Sequence, residues 1–241
     1  MGNSLTTLHP HHNPSHASVE RGLEDLMRSA PGPLTPRPLS ISDIQPPSSA
    51  AAEATHKYVI KQHDHAGIYG HLRRSHFFAL ALLDPALGLF SAETLAQGKA
   101  ENIDETLWHA VMLHELGWTL ENIKAESPMS FELVGGIQAY EYLNKHTPEL
   151  TKWQIDDITE GIVQHTDLLM PGKASLLVQV MHLGIGIDAI GQPLDVLKSL
   201  IHEETLRNAL REWPREESFG ALATLVVAGE LKKPGPHFSI L

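Results

Sequence analysis

The chain of 241 residues is 42% apolar and 20% charged, the balance of an ordinary globular protein, and no apolar run reaches the roughly 18 residues that a transmembrane segment needs. Its 18 Lys and Arg are outnumbered by 29 Asp and Glu, and a formal charge of −11 repels a phosphate backbone, so nucleic acid is excluded as a partner. With no cysteine there is neither a disulfide nor a thiolate metal site, which leaves His, Asp and Glu as metal ligands and suits a cytoplasmic location.

Residues 1–48 read as a disordered tail. The chain opens on "MGNSLT", which fits the Met-Gly-x-x-x-Ser/Thr acceptor pattern for myristoylation at Gly2, and no apolar leader follows. Neither a Cys nor a basic cluster accompanies the motif, so the membrane contact it implies is a weak one through a single acyl chain. The stretches "HPHHNPSH", "APGPLTPRPL" and "IQPPSS" mix Pro, Ser and His with few large apolar residues, too few to offset the entropy of ordering. His9, His11, His12 and His16 lie in this tail and are given no functional role.

From Ser49 onward, over residues 49–241, apolar residues recur at the spacings of three and four that mark helices. "SSAAAEATHKYVIKQH" comes first, then "GIYGHLRRSHFFALALLDP", which Pro85 closes. A third helix is expected from Asp104 as N-cap to Gly117 as C-cap residue. In "SPMSFELVGGIQAYEYLNKH", Ser127 and Pro128 stand in N-cap and N1 order. "TKWQIDDITEGIVQH", "GKASLLVQVMHLGIGIDAIG", "LDVLKSLIHEETLRNALREW" and "ESFGALATLVVAGELKK" follow with the same periodicity. No β-alternating run of useful length appears, so the fold class expected is all-α, a bundle of about eight helices. "GIGIDAIG" follows no strand and is not a dinucleotide motif, and the chain contains no internal repeat, phosphate-binding glycine loop or His-Glu-x-x-His.

Ionisable groups stand out where the pattern is apolar. In "LWHAVMLHELGWT", Leu107, Ala110 and Val111 precede His114 by seven, four and three residues, which puts the imidazole on the buried stripe. Glu115 follows directly, and a carboxylate is rarely buried without a partner. Adjacent helical side chains diverge by about 100°, poor for bonding to each other but adequate for reaching one ion from two directions. Asp188 in "VMHLGIGIDAIG" and His71 in "YGHLRRSHFFALALL" sit on equally apolar helices. His, His-Glu and Asp on three apolar helices point to a metal site built from nitrogen and oxygen donors.

These elements resemble the HD-domain metalloproteins, whose pattern is a His, a later His-Asp dipeptide and a distant Asp on a helical bundle. The fungal HD-domain proteins similar to cyanamide hydratase are the nearer resemblance, over about residues 55 to 237. "YGHLRRSHFFALALL" resembles that family's His-Ser-x-Arg helix, with His71 and Arg74 matching and Leu72 in place of Ser; "VMLHELGWT" resembles its Leu-His-Asp-Ile-Gly and "SFELVGG" its Ser-Phe-Glu-x-x-Gly-Gly. "IVQHTDL" is similar to its Arg-His-x-Asp stretch, the helix of "GKASLLVQVMHLGIGIDAIG" to the one bearing its last ligand, and "EWPREESF" and "GELKKPGPH" to its closing elements.

The resemblance implies an HD-type helical domain holding zinc or a similar divalent ion through His71, His114, Glu115 and Asp188, with Arg74 and Glu132 toward a small-molecule substrate. Such an ion lowers the pKa of a bound water to about 7 and polarises an electrophile. The implied reaction is addition of water to a small nitrile, as in cyanamide to urea, with His165 and Asp167 as the groups for proton transfer or substrate orientation. Where the family has Asp this chain has Glu115, one methylene longer by roughly 1.5 Å. That departure raises an alternative: a metal-free isomerase, cyclase or binding protein that has lost the family's chemistry. A second alternative is a phosphohydrolase, for which Arg73 and Arg74 are the basic pair beside a ligand.

Overall fold

The computed structural model describes residues 16–63, 67–125, 127–167, 171–190 and 199–230. Gly2, His9, His11, His12 and the "LKKPGPH" stretch therefore lie outside the described residues. The fold is all-α, with eleven helices among the described residues and one two-stranded sheet. In chain order the helices are α1 (Leu23–Ser29), α2 (Ala50–Gln62), α3 (Ile68–Leu82), α4 (Ala92–Ala100), α5 (Ile103–Leu113), α6 (Leu120–Lys124), α7 (Phe131–His146), α8 (Lys152–Val163), α9 (Leu176–Ile190), α10 (Glu203–Glu212) and α11 (Glu217–Glu230). No helix among the described residues is long and apolar enough to cross a membrane.

α3 and α9 form the most extensive pairing, and α5 and α8 pack beside them. The crossing is close enough to require a glycine. A Cβ on Gly184 of α9 would lie 2.6 Å from the Ser75 carbonyl and 2.7 Å from the Ala79 Cβ, both on α3. One turn from this contact the two helices carry His71 and Asp188, so the same close approach sets those two side chains face to face.

The helix ends correct the sequence reading in three places. α5 starts after Asn102, which takes the left-handed conformation at φ 59°, and not at Asp104; it stops at Leu113, short of Gly117. The N-cap of α7 is Ser130, whose Oγ accepts from the Leu133 amide at 3.3 Å, and not Ser127. Helix α4, with only Leu95 and Gly98 buried, presents too little apolar face for periodicity to report it.

The boundary expected at residue 48 falls earlier among the described residues: from His16 onward the chain is packed on the bundle. β1 (Ser18–Glu20) pairs antiparallel with β2 (Lys173–Ser175), with Val19 opposite Ala174. Val19, Leu23, Leu26 and Leu39 join the main core. The Leu39 backbone is bonded at both ends to α10, its N–H donating to Thr205 Oγ1 at 2.8 Å and its carbonyl accepting from Asn208 Nδ2 at 2.9 Å. Backbone pairing and cross-chain bonds of this kind leave no trace in local composition, which reports only the Pro, Ser and His.

Candidate functional site

The site begins where α5 ends. His114 is the C-cap at φ −65°, ψ −25°, and Glu115 at φ −94°, ψ 14° opens a 3-10 turn over Leu116–Trp118. The cause is visible at Gly117, where a Cβ would lie 2.0 Å from the Phe131 carbonyl oxygen at the head of α7. The chain must leave the α-helical path to pass that close, and Gly135 one turn into α7 leaves the opposing space. On an unbroken helix the two side chains would diverge; in the turn they reach the same point.

There they meet His71. The His71 and His114 Nε2 atoms are 3.2 Å apart, and Glu115 Oε1 lies 3.3 Å from His114 Nε2 and 3.6 Å from His71 Nε2. All three residues are buried, at 1%, 0% and 3% exposure. The hydrogen bonds on the far side of each ring fix what faces inward. His114 Nδ1 lies 2.7 Å from the Val111 carbonyl and His71 Nδ1 lies 2.7 Å from Asp188 Oδ2, so in the neutral rings both Nδ1 atoms donate outward. Two imidazole lone pairs and a carboxylate oxygen then converge with no hydrogen between them, an arrangement that repels itself unless a cation or proton sits among the three.

The donor set fits a metal ion. Tetrahedral ligands on bonds of about 2.0–2.1 Å stand about 3.3–3.4 Å apart, and the three separations here bracket that value. Glu115 Oε2 is buried and has no hydrogen-bond partner among the described residues, so the carboxylate can accept more positive charge than the protein supplies there. Burial pushes the Glu115 carboxyl up, and a proton on His114, the nearest imidazole, pulls it down to about 2, so a proton shared among the three sits on an imidazole and leaves Glu115 a carboxylate.

Asp188 stands apart from this trio, on the far side of His71. Besides His71 it accepts from Arg74 Nε at 2.7 Å and Arg74 Nη2 at 3.0 Å, and from Arg215 Nη2 at 3.1 Å, while the same Arg215 nitrogen also reaches the Asp188 carbonyl. Burial raises its pKa, and the bond to and charge of His71, then those of Arg74, bring it down to about 2. The group expected as a fourth ligand is thus held by two guanidiniums and one imidazole. Arg74, expected toward substrate, is committed elsewhere: its remaining donors go to the Trp213 and Pro214 carbonyls at 2.9 and 3.2 Å. Arg73 lies over the rings of Tyr69, Trp108 and Trp213 and donates to Tyr69 Oη. Arg74 is thus committed to Asp188 and to backbone carbonyls, whereas Arg73 Nε is buried without a hydrogen-bond partner among the described residues.

His165 lies against the trio, its ring 4.9 Å from that of His114. Its Nδ1 donates to the Ile162 carbonyl at 2.6 Å, and burial first, then the charge of His114, lowers its pKa to about 3. It is a neutral imidazole with Nε2 as the remaining lone pair. Asp167 is drawn away, to Arg21, whose Nη2 is 3.9 Å from Oδ2; burial raises its pKa and Arg21 opposes this. Glu132 is buried and accepts from Thr166 Oγ1 at 2.8 Å; burial raises its pKa.

Four residues that stood in the sequence only inside quoted motifs, Trp118, Phe131, Arg215 and Phe219, complete the surroundings. Phe219 stacks on His71 at 4.7 Å and lies 6.1 Å from Trp118; Trp118 meets Phe131 at 5.3 Å, and Phe131 meets His165 at 5.6 Å. With the His165–His114 and His114–His71 contacts this closes a circuit of six rings about the trio. Arg215, in the segment between α10 and α11, was visible only as part of "EWPREESF".

The chain is similar to two curated proteins of Saccharomyces cerevisiae (strain ATCC 204508 / S288c), cyanamide hydratase DDI2 and cyanamide hydratase DDI3. Each is 28% identical over 217 residues, which span 90% of this chain and 88% of the relative. No family model matches the chain.

Proposed function

We propose that this chain is a metal-dependent hydratase of HD-domain type, acting on a small nitrile-like substrate, with cyanamide to urea as the type reaction. The observation that carries the reading is the inward-facing trio of His71, His114 and Glu115, three acceptor atoms spaced as the ligands of one small ion. The similarity to two cyanamide hydratases over 90% of the chain supports the choice of reaction.

His71, His114 and Glu115 would hold the ion, and donors of this kind at this spacing suit zinc. When bound, it lowers the pKa of water toward neutrality and polarises the nitrile. Asp188 acts on the other nitrogen of His71, fixing the ring and strengthening Nε2 as a donor, while Arg74 and Arg215 hold Asp188 still. These three are positioning residues.

In the reaction the water oxygen bonds to the nitrile carbon as one C–N π bond breaks. The proton that oxygen loses ends on the nitrile nitrogen, and the isourea so formed tautomerises to urea. His165, whose Nδ1 donates to the Ile162 carbonyl, would accept a hydrogen bond from the attacking water at Nε2 and pass the proton on toward the nitrile nitrogen. Asp167, ion-paired with Arg21, and Glu132, which accepts from Thr166, hold the chain just after His165.

The test uses protein purified without a histidine tag, loaded with zinc and assayed for urea formation from cyanamide. The reading predicts urea formation that stops on chelation and returns with zinc. Protein that holds one equivalent of zinc and hydrates neither cyanamide nor any other small nitrile would end it.

A further inference from the structure

Trp118 has no part in the mechanism above, yet its indole is in an unusual state. It is 6% exposed, and its Nε1 has no hydrogen-bond acceptor among the described residues. Trp108, by contrast, gives its Nε1–H to the Ala52 carbonyl at 3.1 Å. A buried donor without an acceptor destabilises the fold, and native proteins keep few of them outside functional sites.

Its position is fixed from both sides. The Trp118 amide donates to the Glu115 carbonyl at 2.8 Å, so one 3-10 turn carries both the indole and the Glu115 carboxylate, and Gly117 between them is pressed on the Phe131 carbonyl. The indole ring stands between Phe131 and Phe219, which lie against His165 and His71 respectively. Among the described residues, the unpaired donor and the unpaired Glu115 Oε2 thus belong to side chains three residues apart on one turn.

We infer that Trp118 Nε1–H is a substrate-binding donor that bonds to the nitrile nitrogen and stabilises the negative charge gathering there as water adds to the carbon. The inference rests on the hydratase reading. A donor aimed at an atom that gains charge only along the reaction works mainly on the transition state. Trp118 thereby also fixes which end of a short, linear substrate faces the trio.

Trp118→Phe keeps an aromatic ring beside Phe131 and Phe219 and deletes the N–H together with the five-membered ring that bears it. In zinc-loaded protein the expected result is a fall in kcat for cyanamide of about 10- to 100-fold with KM changed less than about twofold, at unchanged zinc content. In the wild type, the indole proton of Trp118, assigned through its contacts with Phe131 and Phe219, should move downfield under a saturating excess of cyanamide. That readout stands even where the variant fails to fold. A wild-type kcat in Trp118→Phe, or an indole proton that does not move while the wild type makes urea, would overturn the inference and leave the hydratase reading intact. Zinc-loaded wild type that makes no urea would remove that reading and this inference together.

Discussion

Helix α5 and the turn that ends it carry two buried histidine–glutamate pairs, their histidines five residues apart, and they are built in opposite ways. His109 has a protein partner on each nitrogen, Thr55 Oγ1 at 2.9 Å and Glu105 Oε1 at 3.3 Å, and Glu105 is in turn bonded to Ser49 Oγ. Its polar groups form a closed account of donors and acceptors between α2 and α5. His114 and Glu115 instead meet His71 acceptor to acceptor and leave Glu115 Oε2 without a partner among the described residues. The first arrangement is complete within the protein; the second is complete only with something positive added. Burial and residue type are the same in both, so neither distinguishes a structural pair from a functional one. The direction of the lone pairs does.

The largest expected effect separates the two pairs. His114→Gln should weaken zinc binding by more than about 100-fold, beyond the 10- to 100-fold typical of outer-sphere changes, with urea formation below detection. His109→Leu should lower stability by about 1–3 kcal/mol in denaturant unfolding, as bonded groups are left unpaired, and leave zinc stoichiometry unchanged. Loss of zinc in the His109 variant would erase the distinction between them.

Asp188→Asn tests the support behind the trio. It should weaken zinc binding by about 10- to 100-fold, measured by competition with a chelator. It should also lower stability by about 3–5 kcal/mol, because Arg74, 1% exposed, loses its counter-charge. Zinc affinity falling as far as in His114→Gln would instead make Asp188 a direct ligand.

The smallest effect concerns acid. Burial, with Arg73 next, lowers the His76 imidazole from 6.5 to about 3, so between those values the unfolded chain binds a proton that the folded chain does not. Its contribution to stability is fully present above pH 6.5 and is lost as pH falls toward 3. The melting temperature should decline across that window, and His76→Phe should flatten part of the decline without changing zinc content. An unaltered slope in the variant would place the acid sensitivity elsewhere, His182 being the next buried imidazole, lowered by burial to about 4.

Much of the site was legible because a charge on an apolar helical face is conspicuous: His71, His114, Glu115 and Asp188 were found that way, and all four are buried. Which faces meet was not legible. Gly184 permits the α3–α9 crossing that joins His71 to Asp188, but in the sequence it reads only as a glycine in a helix. Likewise Gly117 reads as a helix terminator, whereas its close approach to Phe131 breaks the helix two residues before Glu115 and turns a diverging pair into a converging one. The commitment of Arg74 and Arg215 to Asp188, and the missing acceptor of Trp118, depend on contacts between segments far apart in the chain. The packed stretch from His16 to residue 48 escaped for the same reason, since its order comes from pairing with Lys173–Ser175 and bonds to α10.

The central claim is that the trio is a metal site completed by one cation. Calorimetric titration of zinc into chelator-stripped, untagged protein, run in parallel on the wild type and Glu115→Gln, tests it most directly. The account predicts one zinc per wild-type chain and binding weakened by about 100-fold or more in the variant, which keeps the shape of the side chain and removes its charge. Wild-type protein that binds no zinc, or a variant that binds it as tightly, would contradict it.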